Sequence, residues 1–246
     1  QTVLIVAQKT AEGTAPENAP VRVFDTDMAG KLFGFGSQAA RMVRAAMRAY
    51  GYVDLSVLPV ADDSAGIAAS GSLKLTGDAT AQGVITLTVA DMEVAIAAAA
   101  GDAAASLATA LASAVNAERD MPVTAQAATG TVTLTAKNKG TLGNGIALSY
   151  ACTVPGITPT LAKMTGGQKD PDITDALTAV FAADYTIYCV PWAAQAPLTI
   201  LREHLDNVSG PLEQRGAIGV YASTGTLSAA TTLAGQLNAG RITGAV

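Results

Sequence analysis

Gly34, Gly36 and Ala39 have the G-x-G-x-x-A spacing of a dinucleotide-binding turn, and a helix-like run follows them. In such a site the glycines lie in the tight turn directly after a strand, so that the pyrophosphate meets the N-terminus of the helix. Here the run "VRVFDTDMAGKLF" and two prolines separate the glycines from the first predicted strand. An acidic residue normally closes the second strand, whereas Asp54 opens it. We therefore predict that the glycines allow a tight turn and close packing where a helix begins.

His204 is the only histidine in the chain, and it lies in the helix-like run "LREHLDNV". A Ser–His–Asp triad needs its nucleophile on a strained turn, and the sequence contains no G-x-S-x-G motif. A single histidine also excludes a zinc site with two histidine ligands. We predict that His204 lies on the exposed face of an amphipathic helix.

Acidic residues form three groups along the sequence. Each group could bind a divalent cation if further oxygen ligands lay close to it in the fold. None has the D-x-D-x-D-G spacing of a calcium-binding loop, and "GTLGNGI" lacks the Lys-Ser/Thr ending of a P-loop. We interpret the acidic residues as helix caps and solvated loop residues, and we predict no catalytic residue, no metal site and no cofactor. The three groups are Asp25 with Asp27, Asp62 with Asp63, and Asp170 with Asp172 and Asp175.

The amino-acid composition of the chain argues against some classes of binding partner. Half of the 246 residues are hydrophobic, so a sizeable core can form without disulfides. Only 14% are charged and the net charge is −5, which makes nucleic acid and anionic membranes poor candidate partners. So few charges indicate a surface that packs against neighbouring molecules. The longest apolar run, "VAIAAAA", is too short to span a membrane, and Cys152 and Cys189 are predicted to be reduced, buried thiols.

The elements that position these residues change in character twice along the chain. Strand-like and helix-like runs alternate in residues 1–63 and again in residues 168–246, which is typical of a parallel α/β sheet. Residues 64–167 instead show the period of antiparallel strands, with glycine-rich breaks and one helix-like run. We therefore predict the α/β class: an α/β sheet domain of residues 1–63 and 168–246, interrupted by an inserted β-rich (α+β) domain of residues 64–167.

Helix boundaries and buried faces are predicted from capping residues and helical spacing. Ser37 and Asp102 are the predicted N-caps of two helices, and Gly240 is the predicted stop of the last one. The predicted buried stripes are Met42, Ala45, Ala46 and Ala49 after Ser37, and Leu107, Ala110, Leu111, Ala114 and Val115 after Asp102.

Several segments together resemble the contractile-tail sheath proteins of Mu-like phages and prophages. The most specific is "AGKLFGFGSQAARMVRAAMRAY", which is similar to the family's "LFG-G-S--ARM-RA" block and contains Gly34 and Gly36. The resemblance extends in order over essentially the whole chain, through "TVLIVAQKTAEGTAPENAPVRV", "GDAAASLATALASAVNA", "VTLTAKNKGTLGN" and "MTGGQKDPDITDAL".

The resemblance implies a structural polymer and not an enzyme. Subunits of this family stack as rings around a tail tube, are held in a strained extended lattice, and shorten to drive the tube through a host envelope. The implied partners are other sheath subunits, the tail tube protein and the baseplate, in a virion tail made in the bacterial cytoplasm. The resemblance gives no role to nucleic acid or to membrane insertion. Residues 64–167 are expected to project from the outside of the sheath.

Chains of this family continue past the position of Val246 into a C-terminal domain and arm, and they begin with an N-terminal arm. The resemblance therefore implies that these 246 residues are an outer portion that stays monomeric alone. Two other functions remain open at this point. One is a nucleotide-binding α/β enzyme acting through Gly34 and Gly36, and the other is a surface carbohydrate-binding module carried by residues 64–167. Against the second, these residues lack Trp and contain few aromatic rings to stack on sugars.

Overall fold

The structure is a computed structural model that describes residues 2–245, and these residues divide into two compact units. The first unit comprises the described residues up to Asp62 together with those from Pro171 onward. The second unit is Asp63–Asp170. Both units contain helices and strands, so the chain is a mixed α/β protein.

Thirteen strands and six α-helices are formed within residues 2–245. In chain order the strands are β1 (Thr2–Gln8), β2 (Val21–Arg22), β3 (Asp54–Val60), β4 (Ala68–Thr76), β5 (Gly83–Val89), β6 (Met92–Ala98), β7 (Val123–Ala128), β8 (Thr131–Lys139), β9 (Leu148–Cys152), β10 (Thr158–Thr165), β11 (Ile187–Val190), β12 (Ile218–Ala222) and β13 (Ile242–Ala245). The helices are α1 (Thr26–Phe33), α2 (Gln38–Ala49), α3 (Ala104–Ala117), α4 (Thr174–Ala179), α5 (Gln195–Val208) and α6 (Leu227–Leu237).

A six-stranded sheet forms the centre of the first unit, in the order β13-β12-β11-β1-β3-β2. Its neighbouring strands are parallel, except that β2 runs antiparallel to β3 at one edge. On β1 the consecutive residues 4–8 are all buried, which is typical of a parallel strand covered on both faces. Strand β1 pairs with β3 on one side and with β11 on the other, so this pairing joins the two chain segments of the first unit.

Helix α1 lies where the sequence patterns predict no helix. Asp25 is its N-cap and accepts a hydrogen bond from the N–H group of Met28 at 2.7 Å. Lys31 pairs with Asp27, one helical turn earlier, at 2.7 Å. Gly30 weakens the helical signal because glycine is a poor helix former, yet a side chain there would collide with the ring of Phe35. Tertiary packing therefore stabilises this helix although its local helix propensity is low.

The predicted N-cap of α2 is confirmed, whereas its predicted buried face is only half right: Met42 and Ala46 are half-buried and pack against the hydrophobic core. The Ser37 hydroxyl accepts a hydrogen bond from the N–H group of Ala40 at 3.2 Å. Ala45 and Ala49 are exposed, contrary to prediction. The helix has alanines on every side, so apolar spacing alone does not select the buried face. The residues that α2 buries are Ala39, Ala40 and Val43.

Helix α6 ends before its predicted stop at Gly240. Asn238 is the C-cap, with left-handed backbone angles of φ 42° and ψ 51°, and its N–H group donates to the carbonyl of Ala234. Asparagine tolerates this conformation better than other residues with a side chain, so it ends the helix before glycine is reached.

The second unit contains two antiparallel sheets and helix α3. One sheet has the order β10-β4-β8-β7 and the other the order β6-β5-β9. Leu107, Leu111 and Val115 of α3 are buried as predicted, whereas Ala110 is exposed and Ala114 is only half-buried. The buried side chains of α3 share one hydrophobic core with residues from both sheets. The second unit thus has a core of its own.

The prediction that Asp102 caps α3 is wrong. Its carboxylate accepts a hydrogen bond from the N–H group of Ala99 at 2.8 Å, and Ala103 is the N-cap without a side-chain hydrogen bond. Gly101 has a positive φ of 91°, which turns the chain back so that Asp102 reaches Ala99. Asp102 therefore stabilises the turn that precedes the helix.

One side chain covers the outer edge of strand β7. Asn116, near the end of α3, accepts a hydrogen bond from the N–H group of Ala125 at 2.9 Å and donates to the carbonyl of Ala125 at 2.8 Å. In an antiparallel pair alternate residues turn their backbone groups to the same edge, so Val123 and Ala127 face the same way as Ala125. Asn116 therefore blocks the middle of an edge to which another strand would otherwise add.

We expect Asn116→Ala to lower the free energy of unfolding by about 1–2 kcal/mol, because two hydrogen bonds to the β7 backbone are lost. Urea titration measures this change. Self-association through the opened edge should also rise, which sedimentation velocity detects. Ser113→Ala is the matched control, since the Ser113 hydroxyl donates only to the Thr109 carbonyl on the exposed part of the same helix. Equal behaviour of the two variants would contradict the role assigned to Asn116.

Candidate functional site

The glycine turn, residues 34–37, connects two helices and not a strand to a helix. Helix α1 ends at Phe33, and Gly34 and Gly36 have positive φ values of 88° and 77°. Helix α2 then begins at Gln38. A dinucleotide site needs its glycines directly after the strand, so the presence of α1 removes the required context.

Close packing explains why position 34 is a glycine. The N–H group of Thr10, just after β1, donates to the carbonyl of Phe33 at 2.9 Å, and a Cβ atom at Gly34 would collide with the Thr10 hydroxyl oxygen. The N–H group of Ser37 donates to the carbonyl of Gly34 at 3.1 Å, and Ser37 is fully buried. The N–H groups of Ser37 and Ala40 are thus used inside the protein and not turned toward an anion. The geometry supports a packing turn and does not favour the nucleotide-binding alternative.

The first two acidic groups satisfy donors close to them. Asp25 caps α1 and Asp27 pairs with a lysine on the same helix, as described above. Asp62 accepts a hydrogen bond from the Gln8 side-chain amide at 2.7 Å. Asp63 accepts one from the N–H group of Ala65 at 2.8 Å. The contacts of Asp25 and Asp63 are those of a helix cap and a turn, whereas Asp27 forms an ion pair along its helix and Asp62 bonds to a side chain on β1.

The ends of the second unit are held together by charged and polar contacts. The Lys169 ammonium lies 3.1 Å from the Asp63 carboxylate, and this hydrogen bond, helped by that from Ala65, lowers the pKa of Asp63. Ile67 and Gln168 form an antiparallel bridge beside this ion pair. We call these contacts between residues 63–67 and 168–169 the neck of the second unit. The neck holds the first and last residues of this unit side by side.

Asp170 and Asp172 act as acceptors for threonine groups. Asp170 accepts hydrogen bonds from the N–H group and the hydroxyl of Thr141, at 2.7 and 2.6 Å, at the start of the "TLGNG" turn. The Thr174 hydroxyl donates to Asp172 at 2.6 Å and lowers the pKa of that carboxyl. Asp175 lies in the first turn of α4. Within residues 2–245 no three side chains of His, Cys, Asp or Glu gather in a geometry that would hold a metal ion.

His204 is buried, and the prediction of an exposed position is wrong. Only 7% of the residue is accessible, and its Nε2 atom lies 3.1 Å from the hydroxyl of Tyr188 on β11. The Tyr188 and Phe181 rings meet the imidazole edge-on, with ring centroids at 5.1 and 6.1 Å. Burial, with a smaller contribution from the charge of Arg215, lowers the pKa of His204 to about 4. The histidine is therefore a neutral structural group that links α5 to the sheet.

The groups around this pair are also fixed by packing. Burial raises the pKa of Tyr188 to about 12, so its hydroxyl keeps its proton. Arg215 donates to the Ala183 carbonyl at 2.8 Å, pairs with Glu213 at 2.6 Å, and lies 5.4 Å over the Phe181 ring. None of these contacts leaves a nucleophile beside the histidine, so the cluster has the properties of a core network.

The two cysteines are free thiols, as predicted, but both are only half-buried. Cys152 ends β9 in the second unit, and Cys189 lies on β11 in the first. Burial raises the pKa of the Cys189 thiol, so it stays protonated and unreactive.

No protein-family model matches the chain. The sequence is 35% identical, over 241 residues, to the Mu-like prophage FluMu tail sheath protein of Haemophilus influenzae, and this alignment covers 96% of the chain and 50% of that relative. The chain thus spans about half the length of the curated relative it matches. It is also similar to crystal structures of sheath tail proteins from Desulfitobacterium hafniense and Listeria innocua, at 12% and 16% identity and TM-scores of 0.40 and 0.36. These similarities cover 99% and 90% of the chain and 52% and 47% of the solved chains.

Lowering the pH from about 6.5 to about 4 should destabilise the first unit through His204. The pKa of the imidazole falls from 6.5 to about 4 on folding, so in this window the unfolded chain binds a proton that the native protein does not. Stability is then fully present above pH 6.5 and falls as the pH falls, by about 2 kcal/mol after allowance for solvent screening. Urea unfolding followed by fluorescence of Trp192, the only tryptophan, reports on the first unit.

His204→Gln provides the control for this pH dependence, because glutamine can still bond to the Tyr188 hydroxyl but does not titrate. The variant should lose stability at neutral pH yet show a flatter pH profile between 6.5 and 4. The carboxyls of Asp63 and Asp172 have pKa values below 3.8, so their contribution is lost only at lower pH. An unchanged profile in the variant would show that other groups cause the effect.

Proposed function

We propose that the chain belongs to the family of Mu-like phage tail sheath proteins and that it is a structural subunit of a contractile tail sheath. The observation that carries this proposal is the 35% identity to a Mu-like prophage tail sheath protein over 241 residues. In the proposed role, copies polymerise around the tail tube and contract to drive the tube through the host envelope. The work comes from the free-energy difference between two lattice arrangements, so no chemical fuel is needed.

The proposed partners are neighbouring sheath subunits, the tail tube protein and the baseplate, and the proposed location is the virion tail after synthesis in the bacterial cytoplasm. The small fraction of charged residues, 14%, supports extensive packing between copies, because charged groups are depleted in interface cores. None of the helices within residues 2–245 has the length and apolar character needed to cross a lipid bilayer. We propose no catalytic role, since the glycine turn, His204 and the acidic groups described above make contacts within the fold.

We also propose that the second unit is an inserted domain that projects from the outside of the sheath. Its own hydrophobic core supports independent folding, because the buried face of α3 is covered by strands of the same unit. The neck supports insertion at a single place, since Asp63 and Lys169 are in contact. Such an attachment lets a domain be carried at a surface loop of a host fold.

Co-expression of the protein at its complete natural length with its tail tube protein should give long striated tubes in negative-stain electron micrographs. The tube protein provides the template around which the subunits are expected to assemble. Expression of the tube protein alone is the control for the width and striation of the particles. Only monodisperse globules, across a range of salt and protein concentrations, would contradict the proposed function.

Replacing Asp63–Asp170 by a short Gly/Ser linker should leave a folded first unit. The linker need only be short, because Asp62 and Pro171, which it joins, closely flank residues that lie side by side in the neck of the intact protein. Trp192 fluorescence and near-ultraviolet circular dichroism should still report one cooperative unfolding transition. Residues 63–170 expressed alone are the complementary control and should fold around their own core. Complete unfolding of the shortened chain would argue against the inserted-domain proposal.

A further inference from the structure

The turn Thr141–Gly145, between β8 and β9, contains the only Asn-Gly sequence in the chain. At each of the other asparagines the next residue carries a side chain. Asparagine followed by glycine is especially prone to spontaneous deamidation, because glycine leaves its backbone nitrogen unhindered and the local backbone free to rotate. Asn144 and Gly145 are both exposed to solvent. This pair is therefore chemically labile unless the fold restrains it.

Deamidation is a reaction of the chain with itself. The backbone nitrogen of Gly145 loses its proton and attacks the side-chain carbonyl carbon of Asn144, so that a C–N bond forms and ammonia leaves. Water then opens the resulting succinimide ring at one of its carbonyls, which gives aspartate or isoaspartate and adds a negative charge. The reaction needs no oxidant and no cofactor. Its rate depends on how often the nitrogen and the carbon come into line.

The fold holds the Asn144 side chain out of this alignment. Its amide nitrogen donates to the carbonyl of Gly167 at 2.9 Å, and its amide oxygen accepts from the N–H group of Gly167 at 2.8 Å. Asn144 also lies in a 3₁₀ turn. Ring closure needs the Cβ atom and the next nitrogen nearly eclipsed about the Cα–C bond, whereas the ψ of a 3₁₀ turn, about −25°, leaves them roughly 90° apart. Both restraints must be released before Gly145 can attack.

The same turn braces the two chain segments that form the neck. Just before the turn, the N–H group of Gly140 donates to the carbonyl of Ile67 at 3.0 Å, on the segment that enters the second unit. On the segment that leaves it, Asp170 accepts the two hydrogen bonds from Thr141, at 2.7 and 2.6 Å. The bonds of Asn144 to Gly167 belong to this same set of contacts. Release of the Asn144 side chain is therefore part of a local opening of the neck.

We propose that Asn144 is a deamidation site whose rate is controlled by opening of the neck. The closed neck protects the side chain, and each opening exposes it to attack by Gly145. Conversion to aspartate removes the N–H donor to the Gly167 carbonyl and puts a carboxylate oxygen in its place, and isoaspartate also lengthens the backbone. A modified molecule cannot remake the native contact, so its neck stays weaker. Nothing in this chemistry depends on the proposed sheath role.

The rate of deamidation at Asn144 tests the proposal, measured by peptide mass spectrometry on the purified protein in mildly alkaline buffer. Unfolding in guanidinium chloride should raise the rate at least about tenfold, because the native restraints are lost. In the folded protein, Asp170→Ala removes the acceptor of both Thr141 bonds and should raise the rate about tenfold. Thr141→Val removes only the hydroxyl bond and should give a smaller rise.

Asn116→Ala is the matched control. It also removes two hydrogen bonds to the backbone of the second unit, but these join α3 to β7 and lie outside the neck. The rate at Asn144 should therefore stay within about twofold of that in the unmodified protein. Equal rates in native and unfolded protein would overturn the proposal. So would equal acceleration by Asp170→Ala and Asn116→Ala, because unfolding of the whole second unit would then be what exposes Asn144.

Hydrogen exchange of Asn144→Asp measures the effect of the modification on the neck. The N–H groups of Ile67 and Gln168 donate to each other's carbonyls at 3.0 and 3.1 Å. Both should exchange about tenfold faster than in the unmodified protein, because a contact that braces the neck is lost. The N–H group of Ala125, on β7, should keep its rate. Unchanged exchange at Ile67 and Gln168 would overturn the proposed coupling between Asn144 and the neck.

Discussion

The pairing of β1 with both β3 and β11 is the constraint on which the first unit depends. Strand β3 follows β1 in the same segment, whereas β11 comes after the whole second unit. At the start of this pairing the Thr2 N–H group donates to the Thr186 hydroxyl oxygen at 3.1 Å, and that hydroxyl donates to the Thr2 carbonyl at 3.0 Å. Joining distant segments costs loop-closure entropy, and the cost falls when the residues between them are already compact. The neck of the second unit provides that compactness.

Much of this architecture could be predicted from the sequence because strong local signals agree with the tertiary packing. The run "TVLIVAQ" forms β1, Ser37 caps α2, and Leu107, Leu111 and Val115 form the buried face of α3. The misses occurred where local signals compete. Gly30 lowers the helix propensity of the segment that forms α1. Asp102 bonds to the turn before α3 and does not cap the helix, and Asn238 ends α6 in the left-handed conformation before Gly240. In each case the local conformational preference is weak, and a contact that cannot be inferred from the sequence determines the structure.

The candidate site could be predicted where the residue spacing in the sequence indicates the same arrangement as the tertiary packing. A long segment separates the glycines after Phe33 from β1, which favours a packing turn, and Thr10 beside Gly34 gives the physical reason. The polarity of His204 favours an exposed position, whereas its spacing along the helix favours burial. It lies on the same helical face as Leu201, Leu205 and Val208, and that spacing alone indicates burial. Its partner Tyr188 comes from another element, so only the packing of α5 against β11 reveals their hydrogen bond.

The neck has a consequence for how such a protein diversifies. A domain that leaves and re-enters its host fold at adjacent residues can be exchanged for another whose termini are equally close, without stretching the host sheet. Under the proposed insertion, the chain ends that lead to β3 and β11 stay equally close whichever domain is carried. Because Asp63–Asp170 has a hydrophobic core of its own, the proposed insertion implies that many sequence changes inside it leave the buried contacts of the α/β sheet unchanged.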